Sequence, residues 1–361
     1  MILTAVIFFV ILTILVCIHE LGHFAMARII GVKVEEFGFG LPPRIFGKMF
    51  GKTLYSLNLL PIGGFVRLAG EDAEEDVGVK QKKIVSKKYF FNRSKKERVA
   101  ILLAGVSMNL ILALGITTAL LTSGVSEPSG KVRVQNIQPK SPADTIGLRE
   151  NDIIAKIQTN SEIVTVHVPK DVISTVKKNA GSSVDLFILR NGKELSLTVV
   201  PRVAPPPGEG PLGVAITDLE IHSYPIHLAL IKSVEINAGR VRDMVLSIGS
   251  TIARVITLRS PEADIAGPIG IAKVTGEAMK FGWKAVLEFM SILSLNLAVL
   301  NALPIPALDG GRVLFVLFEK ILGKRIRPAF ERSTHQIGMI VLLALVALVS
   351  IGDIVRLFKS G

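Results

Sequence analysis

The chain has 361 residues, 49% of them hydrophobic, with a formal net charge of +12 and a mean hydropathy of +0.51. That is too apolar for an ordinary soluble protein, and a single cysteine, Cys17, excludes an internal disulfide framework. The positive charge does not require nucleic acid, because it gathers beside uncharged stretches long enough to cross a bilayer, where anionic lipid attracts it. The expected class is an α-helical polytopic membrane protein with four transmembrane helices.

The first uncharged stretch, 2–18, has no basic residue before it and continues into helix-forming sequence without a small-residue cleavage site. It therefore reads as a span and not as a signal peptide. It runs into "CIHELGHFAM" (17–26). In H-E-x-x-H on a helix, His19 and His23 stand one turn apart on one face, where two imidazoles can share a metal. Glu20 beside them is placed as general base toward a metal-acidified water. Chance supplies roughly 0.005 such pentads in a chain of this composition, so the motif is specific. Polar capping of a helix at the lipid boundary is the bland alternative, but ionisable groups inside a span are costly without partners.

Residues 31–97 form the next loop. "FGFGLPPRIFGKMFGKTLYSLNLLPIGGFVRLAG" (37–70) has short apolar runs broken by Gly and Pro, which predicts hairpins. "EDAEEDVGVKQKK" (71–83) is a charged, flexible surface segment. Fifteen Lys and Arg lie between spans one and two, including the run from Lys80 through Lys82, Lys83, Lys87 and Lys88 to Arg98. With Lys320, Lys324, Arg325, Arg327 and Arg332 between spans three and four, the positive-inside rule places both loops in the cytoplasm and both termini outside.

The second span is 99–122. Residues 125–203 then change character, with strands, a Ser-Pro helix start, the amphipathic "VPKDVISTVKKNAG" and a hairpin turning at Asn191-Gly192. This is expected to be an inserted extracytoplasmic α+β domain, closed by the stiff linker "PPPGEGP" (205–211). Over 226–259, Ile231, Val234, Ala238, Val241, Val245, Ile248, Ile252 and Val255 predict an amphipathic helix with one apolar seam. Two uses fit that seam: packing against the neighbouring domain, or lying at the outer membrane surface where the helix restricts entry.

A zinc site needs a third protein ligand and an open fourth position. His167, His222 and His227 fall in or just beyond the outer domain, and His335 opens the fourth span, 333–352. The better candidate is Asp309 in "NALPIPALDGGR" (301–312), at the end of the third span, 289–308, at the same depth as His19 and His23. Pro304 and Pro306 break the helix before it, and irregular backbone at that depth is tolerated only where protein or a wet cavity covers it. The alternative role for Asp309 is a simple helix cap.

At this point the chain resembles the site-2 proteases, which are intramembrane zinc metalloproteases, and within them the bacterial regulator of sigma-E protease group. The resemblance rests on "HELGH" (19–23), "FGFG" (37–40), "GPIGIA" (267–272) and "NALPIPALDGG" (301–311), with a PDZ-like domain between the second and third spans. It implies Zn2+ held by His19, His23 and Asp309, with Glu20 as the base. Asn301, Pro304 and Pro306 fall on an element thought to hold substrate backbone, and 37–68 resembles a membrane re-entrant β-hairpin. The implied partners are the bilayer of a bacterial inner membrane and single-span substrates such as anti-sigma factors or remnant signal peptides. The PDZ-like domain is expected to contact their extracytoplasmic parts. Two departures stand out: one PDZ-like unit where many relatives carry two, and no GLGF carboxylate loop in "SEPSGKV".

The resulting layout is span one with H-E-x-x-H (1–30), a cytoplasmic loop with the hairpin (31–97), span two (98–123) and the PDZ-like domain (125–203). A linker with the outer helix (204–282), span three with Asp309 (283–320), a cytoplasmic loop (321–333) and span four (334–358) follow. Two rival classes are a catalytically inactive membrane-anchored PDZ receptor or scaffold, and a metal transporter. Neither class explains H-E-x-x-H paired with an aspartate in a Pro-broken span, and a transporter would show repeated halves.

Overall fold

A computed structural model describes residues 2–71, 88–257, 267–324, 326 and 328–359. Most of the charged 71–83 segment, the basic positions Lys80 to Lys87, residues 258–259, Arg325 and Arg327 lie outside the described residues. Two compact units form, one from Met1–Leu120 with Ile226–Gly361 and the other from Leu121–Pro225.

In the first unit, α1 (Ile2–Ile30) is apolar on every side over most of its length. Lipid offers no partner for its peptide groups, so only a helix, with its bonds internal, suits such a sequence. Its buried residues, Ile11, Leu15, His19, Gly22, His23 and Ala27, recur in steps of three and four along one stripe. β1 (Val34–Phe50) and β2 (Thr53–Leu68) pair antiparallel, but the ribbon doubles back on itself. Residues 54–57 are paired on both sides, with 46–49 and with 36–39, and 36–39 pair in turn with 64–67. The far half of the ribbon exposes Ile45, Phe46, Met49, Phe50 and Leu59, an apolar surface with no partner among the described residues.

α2 (Lys95–Thr122) crosses α1 at two small residues. A Cβ on Gly22 would stand 2.3 Å from the Ala104 carbonyl oxygen, so the two backbones touch only because that side chain is absent. In its first turn α2 is anchored by Arg98, which is 2.7 Å from Glu319, both nearly inaccessible.

The second unit holds β3 (Val125–Ile137), α3 (Pro142–Thr145), β4 (Ile153–Gln158), β5 (Ile163–Thr165), α4 (Pro169–Lys178), β6 (Val184–Arg190), β7 (Lys193–Val199) and β8 (Val214–His222). The sheet order is β7-β6-β4-β3-β8, with β5 against β4 and every pairing antiparallel. Alternate residues of β3, β4 and β6, among them Val132, Val134, Ile154, Leu186 and Ile188, meet Val172 and Val176 of α4 in one core. Asn191 (φ 50°) and Gly192 (φ 77°) take the left-handed conformations a two-residue hairpin turn requires. The sheet does not end at 203: the Pro-rich 205–211 is an internal loop, and β8 beyond it pairs with β3. β8's half-exposed alternation suits an edge, which is why its sequence does not stand out from linker.

The first unit resumes with α5 (Ile226–Ile256), α6 (Pro268–Lys280), α7 (Trp283–Ala302), α8 (Asp309–Leu322) and α9 (Pro328–Lys359). Among the described residues, four helices are long and apolar enough to cross a membrane: Ile2–Ile30, Lys95–Thr122, Trp283–Ala302 and Ala329–Val355. The third begins and ends earlier than its uncharged stretch, because Pro304 stops the helix while Lys284 and Glu288 are accommodated at its start. The face α5 buries is not its apolar seam. Ala229, Ser233 and Asn237 are buried, while Ile231 is 65% and Val234 50% exposed. The buried face is polar because it is hydrogen-bonded: Asn237 Nδ2 donates to Thr117 Oγ1 (3.2 Å), and the Thr117 and Ser291 hydroxyls are 3.1 Å apart. Among apolar spans, small polar residues make the helix contacts and the apolar side faces outward.

Candidate metal centre

α1 brings His19 and His23 onto its buried stripe, and the break at 303–308 brings Asp309 to them. Asp309 is the first residue of α8, after Leu308, and no side chain caps that helix end. Its carboxylate turns to the histidines: Oδ2 lies 2.9 Å from His19 Nε2 and 3.2 Å from His23 Nε2. The two Nε2 atoms are 3.1 Å apart, with the rings nearly perpendicular at 82°. The reading of Asp309 as a plain cap is thereby set aside.

The approach of Asp309 needs glycine twice. A Cβ on Gly310 would stand 2.2 Å from the Leu303 carbonyl oxygen, and one on Gly311 2.3 Å from that of Ile305. Ala307, at φ 83°, is in the left-handed region that a residue with a Cβ seldom enters. Its N–H donates to His335 Nδ1 (2.9 Å), so a histidine of α9 pins the turn that delivers Asp309.

These atoms suit a cation. His23 Nδ1 is 2.8 Å from the Ile101 carbonyl oxygen, which can only accept, so Nδ1 carries the proton and Nε2 points its lone pair inward. Asp309 Oδ2 is buried with no hydrogen-bond partner among the described residues, although both imidazole nitrogens are close. Lone pairs facing lone pairs repel, and a metal ion relieves the repulsion. Ligands on a tetrahedral ion with bonds of about 2.0–2.1 Å stand roughly 3.3 Å apart, close to the separations found here. Among the described residues, His19, His23 and Asp309 are the one such group of three.

Glu20 lies beside this centre, against the outer strand of the ribbon. Its carboxylate accepts from the backbone of Val66, and a Cβ on Gly64 would stand 3.7 Å from its Cγ. Asn301 occupies the last turn of α7, half-buried. Pro304 and Pro306 line an apolar groove of about 480 Å³ with Phe315, Phe318 and Leu322.

Sequence reasoning missed what α2 contributes. Gly105 faces the centre so closely that a Cβ there would be 2.4 Å from His23 Nε2 and 2.8 Å from His19 Nε2. Asn109, one turn on, sets its side-chain amide 3.3 Å from His19 Nδ1. A polar residue in mid-span was the available signal.

Residues 7–345 match Peptidase family M50. A protein of Clostridium perfringens, named provisionally as a zinc metalloprotease, is 33% identical over 343 residues, covering 94% of this chain and 95% of its own. One of Clostridium acetobutylicum with the same provisional name is 32% identical, covering 95% and 94%. The regulator of sigma-W protease RasP of Bacillus subtilis is 30% identical over 429 aligned positions, covering 98% of this chain and 99% of its own.

Proposed function

Because the chain belongs to Peptidase family M50, a family of zinc metalloproteases acting in membranes, we propose that it hydrolyses single-span membrane proteins near the cytoplasmic ends of their spans. In this reading zinc is held by His19, His23 and Asp309. The observation that carries it is the convergence of those three ligand atoms within 4.8 Å of one another, beside a fourth ionisable group, Glu20.

Zinc at such a site polarises a carbonyl and acidifies water. Glu20 takes a proton from the attacking water and returns it to the leaving amine nitrogen as the C–N bond breaks. A substrate helix hides its peptide bonds in its own hydrogen bonds and must unwind first. Residues 64–67, the outer strand beside Glu20, can offer backbone partners to the unwound segment by strand addition. Asn301, Pro304 and Pro306 are assigned to holding that segment on its other side.

The exposed apolar half of the β1–β2 ribbon supports a re-entrant position in the bilayer. The basic loops support cytoplasmic placement of that side, with both termini outside a bacterial inner membrane. The 121–225 unit is assigned as PDZ-like and as contacting the extracytoplasmic part of substrates. The name of the Bacillus relative, a regulator of sigma-W protease, supports regulated intramembrane proteolysis; anti-sigma factors or remnant signal peptides are assigned here as the substrate class.

Glu20→Gln should abolish cleavage of a tagged single-span substrate in reconstituted vesicles while the protein keeps about one zinc per chain. Undiminished cleavage by that variant would remove Glu20 from the mechanism.

A further inference from the structure

We propose that Asn109 is a positioning residue: it fixes which nitrogen of His19 carries the proton and so presents the Nε2 lone pair to the metal. The inference rests on the zinc site proposed above and adds a residue of α2 to it.

Asn109 lies midway along an apolar helix and is completely buried. A buried amide is costly unless hydrogen-bonded, so a residue in this place needs a polar partner. Its side chain finds one in the centre itself, 3.3 Å away at His19 Nδ1. Its main chain is held from a different helix, because Ser294 Oγ of α7 donates to the Asn109 carbonyl oxygen at 2.8 Å. The main chain at 109 is thus held from α7 while the side chain is aimed at His19.

Which end of the amide faces the ring decides the chemistry. An amide's oxygen and nitrogen are alike in shape and exchange by a half-turn about Cβ–Cγ. With nitrogen inward, Nδ2 donates to Nδ1 and the proton of the neutral ring sits on Nε2. That proton would occupy the space between His23 Nε2 and Asp309 Oδ2, where a ligand lone pair is needed. With oxygen inward, Oδ1 accepts from Nδ1–H, and Nε2 faces the centre bare. His23 has this same tautomer by a different route, since Nδ1–H is taken by the Ile101 carbonyl of the same helix, α2. One helix therefore sets both imidazoles, through a main-chain carbonyl at 101 and a side-chain carbonyl two turns later at 109. Outer partners of this kind fix ring orientation and raise ligand basicity.

The test is zinc affinity of the full chain in detergent, measured by competition with a chelating indicator, beside the melting temperature of the metal-free protein. Asn109→Leu keeps the branched shape at a somewhat larger volume and removes the acceptor, and should weaken zinc binding about 10–100-fold. Asn109→Asp still accepts from Nδ1–H in either orientation and should retain the affinity. Ser294→Ala loosens the α2–α7 contact without touching the amide and should also retain it. If Asn109→Leu does not fold, Asn109→Ala should show the same loss. Zinc bound by the Leu or Ala variant as tightly as by the unaltered chain would overturn the proposal, as would an Asp variant as weak as Leu. His19→Ala separates the two levels: zinc retained there would refute the ligand set itself, whereas zinc lost there with Asn109→Leu unaffected would refute only the role of Asn109.

Discussion

Adding one methyl group to α2 should empty the metal site without unfolding the chain. At Gly105 a Cβ would lie 2.4 Å from His23 Nε2, 2.7 Å from His19 Cε1 and 2.8 Å from His19 Nε2. Ordinary contact begins at 3.4 Å, so the nearer ring must retreat by 3.4 − 2.4 = 1.0 Å and the other by 3.4 − 2.7 = 0.7 Å. Metal–ligand bonds tolerate about 0.2 Å, so neither imidazole can retreat that far and remain bonded. Retreat also breaks the 2.8 Å bond from His23 Nδ1–H to Ile101, which holds the ring's tautomer. A misplacement near 1 Å costs roughly 100-fold in rate even where the metal stays. Gly105→Ala should therefore lose zinc on dialysis against a mild chelator and cleave a tagged substrate at least about 100-fold more slowly. Gly115→Ala, on the same helix with nothing within 4 Å of its Cβ, is the control and should match the unaltered protein. Zinc per chain by elemental analysis and cleavage in vesicles read both effects. Gly105→Ala with full zinc and full activity would mean that α2 does not pack against the imidazoles as described.

Two further perturbations address what holds the scaffold. Arg98 and Glu319 form a buried pair at 2.7 Å, so Glu319→Gln takes the directly bonded carboxylate from a buried guanidinium and should lower stability by up to about 3–5 kcal/mol. The double replacement Arg98→Met with Glu319→Leu should be milder, measured by thermal unfolding in detergent; equal losses would show that the unpaired buried charge is not the cause. In the second unit Asp171 accepts from the N–H groups of His167 and Val168, and these bonds, with further help from the charge of Lys170, hold its carboxyl below the usual carboxylate range. A lowered pKa in the folded state means the stabilisation is present above the ordinary carboxylate value and is lost as pH falls through the lowered one. Asp171→Asn should flatten that acid limb of the unfolding curve; an unchanged limb would rule out the capping role.

The chemistry was legible in the sequence, and much of the supporting packing was not. His19, Glu20 and His23 declare themselves because a five-residue helical spacing fixes their mutual positions whatever the rest of the fold does. Asp309 could be paired with them because Pro304 and Pro306 forbid a continuous helix and leave a carboxylate with no reason to be there. The use of α5's apolar seam stayed open in the sequence because a seam does not declare whether protein or lipid faces it; in the fold Ser233 and Asn237 turn inward and Ile231 outward. Gly105 and the Ile101 carbonyl could not be read at all. One has no side chain, the other acts through its backbone, and only contact reveals what either does. β8 was hidden for a related reason, as an edge strand carries a weaker alternation than an inner one.

The broken third span explains why the site reaches beyond the helices that carry its ligands. In a continuous helix the seven residues from Ala302 to Asp309 would cover about 10 Å along the axis. Instead α7 stops at Ala302, and α8 restarts with Gly310 lodged against the carbonyls of Ala302 and Leu303. Such a fold needs two glycines and one left-handed alanine, and the latter costs about 1–2 kcal/mol that nothing in α7 or α8 offsets. The compensating contacts come from α9, where His335 accepts the Ala307 N–H and Gly338 lets the chain settle on Pro306, its own Cβ position being 2.6 Å from that ring. Asp309 is therefore held in place by a helix that contributes no ligand and has little of its own surface buried. The position of Asp309 is thus tied to the seating of α9, so a displacement of α9 reaches the centre through the Ala307 turn before it reaches either histidine.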